Sequence, residues 1–329
     1  MSKLKQLTRQ QLFLPIFCMI LVLCVNMIYD VSQGRDFYEF FKIGIQNDLL
    51  SGRLVNILNR GSEVAILAIG MTLVVSSSAG TDISVGSVMA LCGGVCCTLL
   101  AGAAAPQATE LAVPLIVGVL AALVVGCVCG AFNGALVAYL NIQPMVATLI
   151  LWTAARAIGL LVCNNLIVYV RNVLKKSALG LYIQSVGINK KASRIAGLNS
   201  QKIIFLCYVL CGLCAGIAGV VASSRITSAD TNNIGLNFEL DAILAVALGG
   251  NSLAGGKFNL AGSIIGAYTI QAITTTMYNL GVSSAVNPVF KAVIVIVIVA
   301  VQAPPVKAFF KKMSAKRQAE KEVKGAVGV

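Results

Sequence analysis

The chain has no histidine, a single tryptophan, and only 12 acidic residues against 25 lysines and arginines. Without histidine there is no imidazole to act as a general base or to complete a zinc site, which weighs against hydrolytic and metal-centred catalysis. Charge of either sign is scarce, at 11% of 329 residues, while 58% are hydrophobic. Such a composition excludes an ordinary soluble domain and indicates an integral membrane protein. A nucleotide-binding loop is also missing. Gly255-Gly256-Lys257 is followed by Phe258 rather than Ser or Thr, and Asn251 stands where the first glycine of that motif belongs. The chain is therefore not expected to hydrolyse ATP, and no catalytic residue, cofactor or metal site is assigned to it.

What is present is a succession of charge-poor runs, each near the roughly 20 residues that a helix needs to cross about 30 Å of hydrocarbon. The expected fold class is all-α, a polytopic membrane bundle with about nine recognisable spans in one domain covering residues 1–329. The first span runs from Leu12 to Tyr29 and is read as uncleaved, since Tyr29-Asp30 offers no small-residue cleavage site. A polar outer loop follows over residues 30–53, with Leu54 to Arg60 expected as a short amphipathic helix. Further spans are expected at Glu63–Ser77, Ile83–Ala105, Leu111–Leu140, Met145–Cys163, Ile203–Val221, Leu260–Leu280 and Val286–Val301. Ala242 to Gly250 is too short for a full crossing and reads as a broken or re-entrant helix.

The net charge of +13 is distributed as topology signals rather than as a nucleic-acid surface. Lys3, Lys5 and Arg9 precede the first span, and seven basic residues from Lys307 to Lys324 follow the last. The positive-inside rule puts both tails, residues 1–11 and 304–329, in the cytoplasm. The same rule applies to residues 171–202, which carry seven lysines and arginines and no acid. There the bookkeeping fails. Five spans starting inside end outside, yet only Leu166 to Val170 is apolar between Cys163 and Arg171, and five residues cannot cross a bilayer. Either an earlier span is re-entrant or a span expected after Cys163 is missing.

Polar residues inside such a chain are costly and select themselves as candidates. Asp82 lies in Gly80-Thr81-Asp82-Ile83-Ser84-Val85-Gly86-Ser87, between apolar Val64–Val75 and the uncharged stretch from Val88 to Ala105. A carboxylate in that setting costs about 2.5–3.5 kcal/mol on insertion scales. It either serves a polar pathway or caps a helix start. Asn133 sits among Gly126, Gly130 and Gly134, whose spacing leaves a groove for a neighbouring helix, so helix packing is favoured for it over a pathway. Asn141-Ile142-Gln143-Pro144 is a break. Arg156 lies mid-span and must meet water or an acid such as Asp82 or Glu63. Glu239 and Asp241 introduce the short run, and Asp82 and Asp241 each precede an apolar stretch ending in Gly-Gly, a weak internal echo. Candidates for a pathway are thus Asp82, Asn133, Gln143, Thr148, Arg156, Glu239 and Asp241. The eleven cysteines lie in or beside apolar runs and read as small packing residues, the helical pair Cys207 and Cys211 included.

The segment Ala65-Ile66-Leu67-Ala68-Ile69-Gly70-Met71-Thr72, followed by Gly80 to Ser87, resembles the signature of sugar-uptake ABC permeases. The Phe-Asn-Gly core within Gly130–Leu140, Gln143–Leu151, Arg156, Val186–Asn189 with Ala196-Gly197, and Glu239–Gly256 match in the same order. The resemblance is to the ribose, galactose and galactofuranose importer group, the galactofuranose type above all. It implies a multi-pass permease of the bacterial inner membrane that passes a monosaccharide inward. The implied partners are a separate ATP-binding subunit, a periplasmic sugar-binding protein, a second permease subunit and membrane lipid, with no nucleic acid. It also implies an ATPase-coupling segment within residues 171–202, with Gly180, Gly187, Asn189, Arg194 and Gly197 as its matched positions. Members of the group carry a polar stretch and a further span before the equivalent of Lys176–Gly180, and here both are essentially gone, which points to the missing span. Alternatives are a branched-chain amino-acid ABC permease, a stand-alone ion-coupled carrier or channel, and an inactive remnant.

Overall fold

The computed structural model describes residues 12–46, 49–102, 107–108, 112–164, 168–170, 199–226, 228–256, 258–283 and 286–293. Among the described residues eight helices of ten residues or more follow in chain order: α1 Phe13–Ser32, α2 Arg53–Ser78, α3 Val85–Ala101, α4 Leu115–Ala138, α5 Pro144–Val162, α6 Ser200–Ile226, α7 Phe238–Leu248 and α8 Leu260–Asn279. All belong to one compact unit, Met1–Asn279; of the second unit, Leu280–Val329, a helical stretch over 287–293 is described.

The expected helical membrane bundle is observed. Five of the described helices are long and apolar enough to cross a membrane: α1, α2, α4, α5 and α6. The others differ from the sequence reading in ways that the chain explains. The expected amphipathic helix at Leu54–Arg60 is the first two turns of α2, because nothing between Arg53 and Ser78 breaks a helix. The expected third span shortens to the 17 residues of α3, since Gly80 to Ser84 is spent on a turn. The short run is the 11-residue α7, about 16 Å long at 1.5 Å per residue, so it spans only half a bilayer.

Two ribbons decorate the helices. Strands β1 (Gly44–Gln46) and β2 (Leu49–Ser51) form a hairpin within the expected outer loop. Strands β3 (Gln107–Ala108), β4 (Val168–Val170) and β5 (Ser228–Ala229) join in the order β3-β4-β5. The apolar pentad Leu166–Val170 thus contributes a strand at the rim, where the sequence reading found a stretch too short to cross.

Helix direction can be followed from side-chain partners. The pairing of Gly70 with Cys211 and of Glu63 with Arg225 makes α2 and α6 antiparallel. Gly126, Gly130 and Gly134 meet Gly212, Tyr208 and Phe205 in turn, so α4 and α6 are antiparallel as well. In contrast, α3 runs parallel to α6, with Ser84 and Val85 beside Gly212 and Ala215, and Gly93 beside Gly219 and Ser223. The helix α5 also runs parallel to α3, with Thr148 at Ile83, Gly159 at Leu91 and Cys163 at Gly94. Consequently α5 and α6 point the same way, although they are consecutive among the described helices. The parity failure read from the sequence recurs in the geometry: Val170 lies with the upper ends of α3 and α6, and Ser200 with their lower ends.

Packing follows residue size. The central helix α2 is mostly buried, and the core cluster is built on α2, α3 and α6 with small residues such as Ala68, Ala90, Ala215 and Ala218. A Cβ at Gly126 would run into the carbonyl oxygen of Gly212, and one at Gly130 into that of Tyr208. The sequence expectation of a groove for close helix approach is therefore met at α4 and α6. On the outside, Ile116, Leu120, Val124 and Val128 of α4 form an exposed apolar stripe suited to hydrocarbon. The helix α1 is exposed in the same way, and Asn26 anchors it to Thr276 of α8 through a buried hydrogen bond of 2.6 Å. Asp30, at the end of α1, receives Arg53 at 2.8 Å and ties it to the start of α2.

Candidate functional site

The helix α2 ends at Ala79, which takes the left-handed conformation at φ 55, and the chain then turns back along the bundle. The Asp82 amide reaches Met71 Sδ at 3.4 Å, which places Asp82 two turns above the end of α2 and starts α3 within the bundle. The carboxylate organises this turn. Oδ1 accepts from the Ser84 backbone N–H at 2.9 Å and from the Ser84 hydroxyl at 2.6 Å. Asn133 of α4 donates to the Ser84 hydroxyl at 2.9 Å and to Asp82 Oδ2 at 3.5 Å. Ile83 donates to Thr148 of α5 at 3.1 Å. Three sequence candidates, Asp82, Asn133 and Thr148, thus converge on one turn. All are buried, and the Asn133 carbonyl oxygen is left without a partner.

Gln143 lies below them. Asn141, at φ 54, ends α4 with Ile142 donating to the Leu136 carbonyl at 3.1 Å, and Pro144 opens α5. A left-handed cap followed by proline at the first helical position is what the sequence break supplies. Pro144 packs on Gly80, where any Cβ would collide with its ring. Between the two helix ends and the start of α6 opens a cleft of about 340 Å³, lined by Gln143 together with Ser78, Asn141, Ser200 and Gln201.

Arg156 and Glu239 form a second centre. The guanidinium does not meet Asp82 or Glu63, as the sequence reading allowed. Its Nη1 donates to the carbonyls of Thr231, Asn232 and Ile234, at 2.8, 3.1 and 3.1 Å. Glu63 is taken instead by Arg225 Nε, at 2.5 Å, a partner that lies 162 residues away and left no local signal in the sequence. The turns held by Arg156 descend beside α3: Thr231 lies against Gly94, and Gly235 against Gly86. Eight residues of α3 separate those levels, about 12 Å at 1.5 Å per residue. Gly235, at φ 68, sits directly on Gly86, and Asn237, at φ 64, precedes α7. Glu239 then lies buried beside Gly86, its Oε2 without a hydrogen bond, as are Arg156 Nη2 and Trp152 Nε1 nearby on α5. Asp241 is separate again, facing α8, where Gln271 donates to it at 3.0 Å.

Sequence reasoning passed over the polar lock below α7. Asn251 donates to Ser263 at 2.8 Å and accepts the Asn259 amide at 2.6 Å, while Thr72 donates to Ser263 at 2.7 Å. Asparagines after a Gly-Gly pair look like an ordinary loop; only the tertiary fold shows Asn251 buried and Asn259 half-buried. Among the described residues no cluster of three or more metal-ligating side chains occurs. Gly180, Gly187, Asn189, Arg194 and Gly197, the coupling positions, lie outside the described residues.

The profile of the family described as "Branched-chain amino acid transport system / permease component" matches residues 53–173 and 165–302. Its two segments meet where the sequence reading found a span missing. The chain is 41% identical to the galactofuranose transporter permease protein of Escherichia coli strain K12, over 80% of this chain and 83% of that one. It is 37% identical to the fructose import permease protein of Bifidobacterium longum, over 84% of each. With the ribose import permease protein of Escherichia coli strain K12 the identity is 35%, over 75% of this chain and 84% of the relative. No solved structure matches. With a helical membrane bundle and these relatives, the chain belongs to the branched-chain amino acid transport system permease family, as a transport component.

Proposed function

We propose that this chain is the membrane subunit of an ATP-driven importer that carries a monosaccharide across the bacterial inner membrane. The observation that carries the reading is the 41% identity to a galactofuranose permease over most of both chains. The polar groups of the bundle support it. A sugar is neutral and rich in hydroxyls, so its route needs scattered hydrogen-bonding groups between apolar walls and no fixed countercharge. Asp82, Asn133, Thr148 and Gln143 supply such groups, and their charged neighbours are occupied: Glu63 by Arg225, and Arg156 by three carbonyls. In this reading Arg156, Glu239 and Asp241 shape the route by holding α5, α7 and α8.

The lower ends of α2, α4 and α7 face the cytoplasm, as do both termini. The basic segment 171–202, with Gly180, Gly187, Asn189, Arg194 and Gly197, rests on a separate ATP-binding subunit. A periplasmic binding protein delivers sugar from above, and a second permease subunit completes the pathway.

Uptake of labelled galactofuranose, ribose, galactose and fructose by cells with and without the gene tests the proposal. Loss of uptake for one sugar is the expected result. Unchanged sugar uptake with lost leucine uptake would move the chain to the amino-acid importers.

A further inference from the structure

A cleft of about 340 Å³ opens between the end of α2, the α4–α5 break and the start of α6. We infer that it is a binding site for the imported monosaccharide at its point of exit, an inference that rests on the sugar-import reading above.

Size, chemistry and position each point there. At about 340 Å³ the cleft falls at the small end of the roughly 300–1,000 Å³ typical of small-molecule sites, room for one compact ligand. Its polar lining consists of the hydroxyls of Ser78 and Ser200 and the carboxamides of Asn141, Gln143 and Gln201. Among the described residues no charged side chain lines it. Those residues offer no countercharge to an anion, a nucleotide or a lipid phosphate. A neutral polyol, with each hydroxyl able to donate and accept, fits five groups of which two are hydroxyls and three are carboxamides. The apolar floor of Val137, Ala138 and Ile204 suits the C–H face of a sugar ring.

The walls are built rather than incidental. Asn141 holds a left-handed conformation, and Pro144 is pressed onto Gly80, so the rim next to Gln143 has a fixed shape. The opposite rim is the first turn of α6, where the Asn199 side chain accepts from the backbone of Gln201 and Lys202, both at 3.2 Å. Through Gly80 the cleft also adjoins the turn that carries Asp82, and Ser78, on the cleft wall, accepts the Gly80 amide at 3.2 Å. A ligand leaving the level of Asp82 meets this cleft next, at the lower end of the bundle.

The test uses the complete transporter, reconstituted with its ATPase and binding protein. The substitution Gln143→Leu keeps bulk and removes hydrogen bonding; Asn141→Trp fills the cleft. Each is expected to lower sugar import at least tenfold while ATPase stimulation by the loaded binding protein stays within twofold. Import at the wild-type rate in both variants overturns the exit site. Loss of ATPase stimulation together with import overturns it too, since the cleft then serves contact with the ATPase. Because a tryptophan can prevent folding, Gln143→Asn provides a second readout: retained carboxamide chemistry should restore more than half of the import lost in Gln143→Leu. Absence of sugar import in the wild-type complex is a different failure, that of the sugar reading itself.

Discussion

The Asp82 carboxylate takes both its short hydrogen bonds from Ser84, two residues on, so its first role is to close the turn that lets α3 begin inside the bundle. Asparagine retains a side-chain oxygen for those bonds and alanine does not. Asp82→Ala is expected to destabilise the bundle by about 1–3 kcal/mol, the cost of leaving buried donors unpaired, and Asp82→Asn by less. Thermal unfolding in detergent measures the difference. If Asn also abolishes sugar uptake at normal stability, the charge itself serves the pathway. Arg156 makes a similar case, because one planar guanidinium nitrogen collects three carbonyls of the Thr231–Ile234 turn. Lysine keeps the charge but not the fork. Arg156→Lys should therefore loosen the segment before α7, seen as faster proteolysis between Asp230 and Asn237, with import falling about tenfold. Equal proteolysis rates would contradict this role. The sequence marked Asp82, Asn133 and Arg156 as polar groups in an apolar setting, and in the structure each is hydrogen-bonded. It missed who their partners are, since Ser84 and the Thr231 carbonyl are ordinary groups until the fold brings them near, as Arg225 is for Glu63.

Glycine spacing decides the element scale. Gly126, Gly130, Gly212 and Gly216 let the backbones of α4 and α6 touch, and a Cβ on Gly130 meets the Tyr208 carbonyl, a rigid group that has no rotamer to escape to. Gly130→Val is expected to cost more than 2 kcal/mol through overpacking, and to reduce the folded fraction recovered from membranes. Gly281, at φ 76 with nothing within 4 Å, is the spatial control for crowding, though a side chain there is strained by φ. The period of four was legible in the sequence because small residues on one helix face have few other uses in a membrane. The half-helix α7 was also legible, from its length and bounding glycines. The strands β4 and β5 were not. Two or three residues carry no periodicity, and their pairing depends on three separate segments meeting at the rim.

At the scale of the whole molecule, the direction of the helices is the main result that sequence counting foreshadowed. Nearly parallel roles for α5 and α6 place Asn164 and Asn199 at opposite faces of the bundle. Single cysteines at these two positions, in a background without the native eleven, should react with an impermeant maleimide from opposite sides: Asn164→Cys from the periplasm and Asn199→Cys from the cytoplasm. Labelling of both from one side would contradict the arrangement. Charge counting found this parity problem because lysines and arginines report topology directly; it could not resolve which helices run parallel, which is a matter of contacts. The central claim is that the chain moves a neutral sugar under the power of a separate ATPase. Proteoliposomes holding the purified permease with its ATPase and binding protein test it most directly, by accumulation of radiolabelled monosaccharide with and without ATP. ATP-dependent accumulation of one monosaccharide, unaffected by excess leucine, is the predicted result; ATP-dependent accumulation of leucine with no sugar uptake would contradict the account.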